Sequence, residues 1–185
     1  MADITIPQDL LPQDGRFGAG PSRLSSHQLD HLIRNASLLG TSHRQAPVRE
    51  LVGRIQGALG AYFRLPEGYE VVLGNGGSTA FWDVAAVSLA KNRSAHLSFG
   101  EFGAKCVKAH TTPWLEAPHV VTSEPGTRSE LTAVPGVDLY AWPHNETSTG
   151  LMAPVTRVPG PAPGALTLVP ATSAAGGLAL VTSAL

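Results

Sequence analysis

Within residues 70–83, EVVLGNGGSTAFWD, three glycines (Gly74, Gly76, Gly77) are followed at once by two hydroxyls, Ser78 and Thr79. Glycines let the backbone approach a ligand closely. A helix that begins here leaves the N–H groups of its first turn without partners. Those donors and the helix dipole favour an anion, so the corner suits a phosphate. The same residues also fit an ordinary strand-to-helix turn capped by Ser78 or Thr79. The segment has neither the P-loop lysine nor the GxGxxG dinucleotide fingerprint, so a phosphate held here belongs to another class.

Other reactive side chains point less sharply. Cys106 is the only cysteine, which excludes an internal disulfide and a metal site built from cysteines alone. Lys105 and Lys108 beside it could lower the thiol pKa, but a lone cysteine in a helical pattern reads more simply as a small hydrophobe. His43 and His144 have no second ligand at helical spacing and read as hydrogen-bonded structural histidines, so no metal is expected. Trp82 and Trp142 read as packing residues. Arg44 fits a surface pair with Glu50, and Phe102 taken alone fits a core.

The elements that must position these groups follow from apolar periodicity. Residues 1–21 read as an extended N-terminal arm ending in the turn GAGP, and residues 22–185 as one domain. Ser25 or Ser26 caps a helix carrying Leu29, Leu32, Ile33, Ala36 and Leu39, stopped by Gly40. Pro47 opens a second helix with Val48, Leu51, Val52, Ile55, Leu59, Tyr62 and Phe63 at three- and four-residue steps. Both helices are expected to lay one face on a core. Val71 and Val72 enter the glycine corner as a strand, and a helix follows from Ala80 and Phe81. A strand over 95–99, a helix over 101–110 and strands near 119–122, 137–142 and 165–169 complete the pattern. This alternation predicts an α/β fold: three layers, with a mostly parallel sheet flanked by helices. Ligands of such sheets sit at the carboxyl ends of the strands. The expected rim is therefore residues 74–79, 100–102, 143–150 and 170–177, which would suit a flat ring bearing a phosphate.

Composition narrows the class further. The chain has 185 residues, with 13 basic against 14 acidic side chains and no basic stripe, so nucleic acid is not an expected partner. No stretch has membrane-spanning length and the N-terminus resembles no signal or transit peptide, which gives a cytoplasmic expectation.

Five segments, GRFGAGPSRLS, LLGTSHRQAPVRELVGR, YEVVLGNGGSTAFWD, LSFGEFGAK and AWPHNETSTG, resemble in order and spacing the N-terminal half of phosphoserine aminotransferases, most closely the actinobacterial kind. The resemblance covers residues 15–177. It implies the large domain of a fold-type-I enzyme that uses pyridoxal phosphate to move an amino group from glutamate to 3-phosphohydroxypyruvate in serine biosynthesis, as a homodimer. Carried over by motif, it implies that Gly77, Ser78 and Thr79 hold the cofactor phosphate. It places Phe102 against the pyridine ring, where relatives often have tryptophan, and Thr147 near the ring hydroxyl. Arg44 would grip the substrate carboxylate, a task suited to a planar bidentate donor. The GAGP turn would lie at the substrate mouth, with Ala19 where relatives commonly have serine.

Two departures bear on the chemistry. Relatives carry, in a segment resembling DATSxAGG, an aspartate that keeps the cofactor's ring nitrogen protonated. Here the segment is VPATSAAGG, with Pro170 in the aspartate's place. The family's Schiff-base lysine follows that segment, and the lysines present, Lys91, Lys105 and Lys108, stand in other contexts. The expectation is a truncated chain that holds the phosphate corner and is inactive alone. A non-catalytic remnant or interaction module, and another fold-type-I activity with the same cofactor, remain as alternatives.

Overall fold

The computed structural model describes residues 4–16 and 23–178. They form two compact units, divided between Arg54 and Ile55. The GAGP turn, including Ala19, lies outside the described residues, and only part of the expected arm lies within them, with a 3₁₀ turn at Gln8–Leu10.

In the first unit, helix α1 (Ser26–Arg34) starts on Ser25, and the capping box is complete. The Ser25 hydroxyl accepts from the Gln28 N–H at 3.3 Å while the Gln28 side chain accepts from the Ser25 N–H at 2.8 Å. This reciprocal pairing satisfies two donors that a helix start otherwise leaves open. The helix ends earlier than expected, at Arg34, and continues as a 3₁₀ turn, Ala36–Leu38, before Gly40 takes a left-handed φ of +80°. Helix α2 (Ala46–Tyr62) begins one residue before Pro47 and runs past Arg54 into the second unit. Neither helix buries a residue, which corrects the expectation that each lays a face on a core. Leu29, Leu32 and Ile33 stay 57%, 54% and 63% exposed. Amphipathic spacing fixes which face of a helix is apolar; whether an element meets that face is a tertiary matter.

The second unit is built on a four-stranded parallel sheet. Its strands are β1 (Ser94–Ser98), β2 (His119–Thr122), β3 (Leu139–Ala141) and β6 (Leu166–Leu168), in the order β2-β1-β3-β6. Ala95 pairs with His119, His96 with Ala141, and Ala141 with Leu168. Every residue of β1 is buried, as a central parallel strand requires. One face of the sheet turns Ala95, Leu97, Tyr140 and Trp142 into a core completed by Leu131, Val137 and Val158 from irregular segments. The other face is covered by helices α3 (Ser78–Ser88) and α4 (Glu101–His110), where Trp82, Cys106 and Ala141 cluster with Phe102. Sheet, helices and irregular cover give the α/β layering expected from the alternation of elements.

Two local expectations fail. Val71 and Val72 form no strand, and Val72 is exposed. β-branched residues favour a strand only where a neighbouring strand offers a ladder. The polar run after β3 folds as a hairpin of β4 (Asn145–Glu146) and β5 (Leu151–Met152), paired antiparallel, for which no strands were expected. Among the described residues, no helix is long and apolar enough to cross a membrane.

Candidate active site

Because the four main strands are parallel, the segments that leave β1, β3 and β6 emerge on one edge of the sheet, the edge where open α/β sheets bind ligands. The first turn of α3 joins them. The Ser78 and Thr172 hydroxyls share a hydrogen bond. Next to Thr172, the Ser173 hydroxyl meets the Thr147 hydroxyl at 2.8 Å and accepts from the Asn145 amide at 2.8 Å. Next to Thr147, the Glu146 carboxylate accepts the backbone N–H groups of Phe102 at 3.2 Å and Gly103 at 2.9 Å. Ser78, Thr147 and Phe102, chosen from sequence, are thus linked through two pairs of chain neighbours. All four expected rim segments take part or flank the chain of contacts.

The two helix starts on this edge differ in what they offer. α3 has Gly77 as its N-cap, with φ −115° and ψ −162°, and no side chain among the described residues caps it. Neither Ser78 nor Thr79 is the cap, as an ordinary turn would need; both lie in the first turn, which starts two residues earlier than Ala80. A Cβ on Gly77 would meet nothing within 4 Å, whereas Gly76 has φ +91° and a Cβ there would sit 2.8 Å from that of Ala80. Gly76 therefore shapes the turn and Gly77 leaves the helix end open. The orphan donors of that end and the adjacent hydroxyls are what a phosphate requires.

The start of α4 is already filled, by a carboxylate of the protein itself. Glu146 is fully buried and also accepts from the Ser148 N–H at 3.2 Å and the Ser148 hydroxyl at 2.8 Å. The Ser148 hydroxyl in turn accepts from the Glu101 N–H at 3.0 Å. Gly100 makes this approach possible: a Cβ there would lie 2.4 Å from the Glu146 Cγ. Sequence reading placed Glu146 in the polar run without a role. A glutamate 43 residues from its partner gives no local signal.

The remaining site residues have plainer surroundings. Phe102 is half-buried against Trp82, Cys106 and Ala141, with the Lys105 ammonium 5.3 Å from its ring centroid. Lys105 is paired with Glu101 at 3.2 Å. The Pro170 carbonyl accepts the His144 N–H at 2.9 Å. His144 is buried, with Nδ1 2.7 Å from the Ala153 carbonyl oxygen and Nε2 without a partner among the described residues. Arg44 belongs to the first unit and is exposed, its backbone N–H 3.3 Å from the Ser42 hydroxyl. Among the described residues it makes no ion pair with Glu50.

Cys106 is buried as a small hydrophobe would be, and burial pushes its thiol up to about 12. Its neighbours are less ordinary. His96 and His110 lie beside it with ring centroids 4.8 Å apart, both buried. Burial, and then the facing His110, hold His96 down to about 3; burial lowers His110 against the raising effects of the Cys106 carbonyl and Asp83. Both rings are therefore neutral near pH 7.

No family model matches the chain. Over 178 residues it is 58% identical to a phosphoserine aminotransferase of Nocardioides sp., covering 95% of this chain and 48% of that protein. The chain thus spans about half the length of the curated relatives it matches. Its fold is similar to that of a phosphoserine aminotransferase from Cytophaga hutchinsonii, with TM-score 0.67 and 24% identity over 74% of this chain and 39% of that one. It is also similar to a phosphoserine aminotransferase from Trichomonas vaginalis solved with pyridoxal phosphate bound, with TM-score 0.59 and 18% identity over 82% of this chain and 46% of that one.

Proposed function

We propose, on the premise that this chain is a homologue of the phosphoserine aminotransferases over about half of their length, that it carries the phosphate-holding part of their pyridoxal phosphate site. One observation supports this most: the run of contacts from Ser78 through Thr172, Ser173, Thr147 and Glu146 to Phe102, beside an uncapped helix start. Open donors at α3 and the space at Gly77 fit a phosphate group. Gly77, Ser78 and Thr79 would hold it, Phe102 would face the ring, Thr147 would stand near the ring hydroxyl, and Arg44 would take the substrate carboxylate. The complete enzyme would convert glutamate and 3-phosphohydroxypyruvate to 2-oxoglutarate and O-phospho-L-serine, in serine biosynthesis and as a homodimer. When bound, pyridoxal phosphate supplies the electron sink for amino-group transfer.

The residues at hand orient but do not transfer protons. Pro170 offers neither charge nor N–H to a ring nitrogen. Glu146 cannot replace the missing acid, since Phe102, Gly103 and Ser148 already occupy its oxygens. Lys105, over the Phe102 ring, is paired with Glu101, and neither it nor Lys91 or Lys108 stands in the sequence context of the family's Schiff-base lysine. We therefore read these 185 residues as binding without turnover.

Equilibrium dialysis of the purified chain against pyridoxal phosphate and against pyridoxal tests the binding part. Retention of the phosphorylated form alone is expected. Equal retention of both, or of neither, would remove the phosphate cradle and favour a non-catalytic remnant or interaction module. Formation of phosphoserine by the chain alone would contradict the silent reading.

A further inference from the structure

Three side chains able to ligate a metal meet between β1 and α4. His96 lies on the strand face covered by α4, and Cys106 and His110 are four residues apart on one face of that helix. Their ligand atoms lie within 4.8 Å of one another, and the residues are 1%, 3% and 0% exposed. Each imidazole has one nitrogen engaged: His96 Nε2 with the Ser94 hydroxyl at 2.9 Å, and His110 Nδ1 with the Cys106 carbonyl oxygen at 2.9 Å. A carbonyl only accepts, so His110 Nδ1 carries the proton and Nε2 presents a lone pair. His96 Nδ1 and His110 Nε2 are buried without a partner among the described residues. Leaving such atoms unpaired is unfavourable, and an imidazole fixed through its other nitrogen is what metal sites use.

We propose that His96, Cys106 and His110 form a three-ligand site for a soft d¹⁰ ion, Cu(I). Charge decides between the candidates. One thiolate and two neutral imidazoles around Cu(I) sum to zero, whereas Zn(II) would leave a positive charge in the core, which is costly to bury. Asp83, the carboxylate felt by His110, is exposed and outside the triad. A soft thiolate with two imidazoles in a three-ligand set also suits Cu(I), while structural zinc takes four ligands. Binding makes two Cu–N bonds and one Cu–S bond and releases the Cys106 thiol proton to solvent, with no change of oxidation state. Metal–ligand bonds of about 2.0–2.3 Å require the donors to close by about 1 Å, within reach of side-chain rotation. The site stands apart from the cofactor reading and does not depend on it.

Anaerobic titration of the purified full chain with Cu(I) buffered by bicinchoninate tests the site. The chain should withdraw one equivalent, gain near-ultraviolet thiolate-to-copper absorption and melt at a higher temperature. Cys106→Ser should weaken binding by at least about 100-fold, the upper end of what losing a supporting hydrogen bond costs a metal site. No withdrawal of copper, or binding that survives Cys106→Ser, would overturn the proposal. If that variant fails to fold, X-ray absorption of the copper-loaded wild-type chain decides: one sulfur and two nitrogens support the site, and nitrogen and oxygen alone sink it.

Discussion

The Glu146 carboxylate accepts the backbone N–H of Gly103 at 2.9 Å and so ties the β4–β5 hairpin to the first turn of α4. Through that bond and its companion to Phe102, one buried side chain occupies a helix start that would otherwise resemble the one at α3. The sheet edge therefore presents one open helix end and one closed.

Glu146→Ala should be strongly destabilising. It leaves the Phe102 and Gly103 N–H groups without acceptors inside the protein, at about 1–3 kcal/mol for each buried donor. Glu146→Gln keeps one oxygen and should lose less. Urea unfolding of the two variants measures this, and an alanine variant as stable as wild type would show that water replaces the carboxylate.

The two glycines before α3 should respond differently to alanine. Gly76→Ala combines a φ of +91° with a contact of 2.8 Å to the Ala80 Cβ. It should cost about 2 kcal/mol or more. Gly77→Ala meets no atom and has an ordinary φ, so its cost should stay within about 1 kcal/mol. Thermal melts of the pair suffice, and equal losses would contradict the turn geometry.

Ser78→Asp separates folding from ligand binding. A carboxylate in the first turn of a helix is favourable by about 0.3–1 kcal/mol, yet it repels a phosphate at the same place. The variant should keep its melting temperature and lose the preference for pyridoxal phosphate over pyridoxal in dialysis. A preference that survives would move the phosphate away from α3.

Acid should weaken the metal-free chain through its buried histidines. Below about pH 6.5 the unfolded chain takes up protons that folded His96, held down to about 3, refuses, and His110 acts in the same direction. Stability is then full above pH 6.5 and falls toward pH 3, by up to about 1.4 kcal/mol per pH unit from His96, with His110 adding in that direction. Above about pH 9 the sign reverses for Cys106, pushed up to about 12, because the unfolded thiol ionises first. Urea midpoints at pH 5, 7 and 10 should peak at 7, and His96→Gln should flatten the acid side. A midpoint unchanged from pH 7 to 5 would contradict this.

The exposed stripe of α1 should make the chain associate. Burying Leu29, Leu32 and Ile33 would contribute about 1.5–3 kcal/mol apiece. Sedimentation velocity should show mass rising with concentration, and Leu32→Glu should reduce it. A single monomeric species across the range would count against it.

Sequence by itself determined what depends on neighbours three or four residues away. A helix start at Ser25 or Ser26, the start of α4, the strand β1 and the glycine corner were all legible, because caps, periodicity and tight turns are local. So was the placement of Ser78, Phe102 and Thr147 on one sheet edge, since parallel strands send their following segments the same way. The misread elements needed distant partners. Val71 and Val72 found no ladder, and the apolar faces of α1 and α2 found no cover. Only the tertiary structure decided that Glu146, 43 residues from Gly103, closes one helix start and leaves the other open. Only it set His96 of β1 against Cys106 and His110 of α4. Burial removes water as the alternative partner, so the meaning of a glutamate, a thiol and two imidazoles is fixed by what the fold brings within bonding distance.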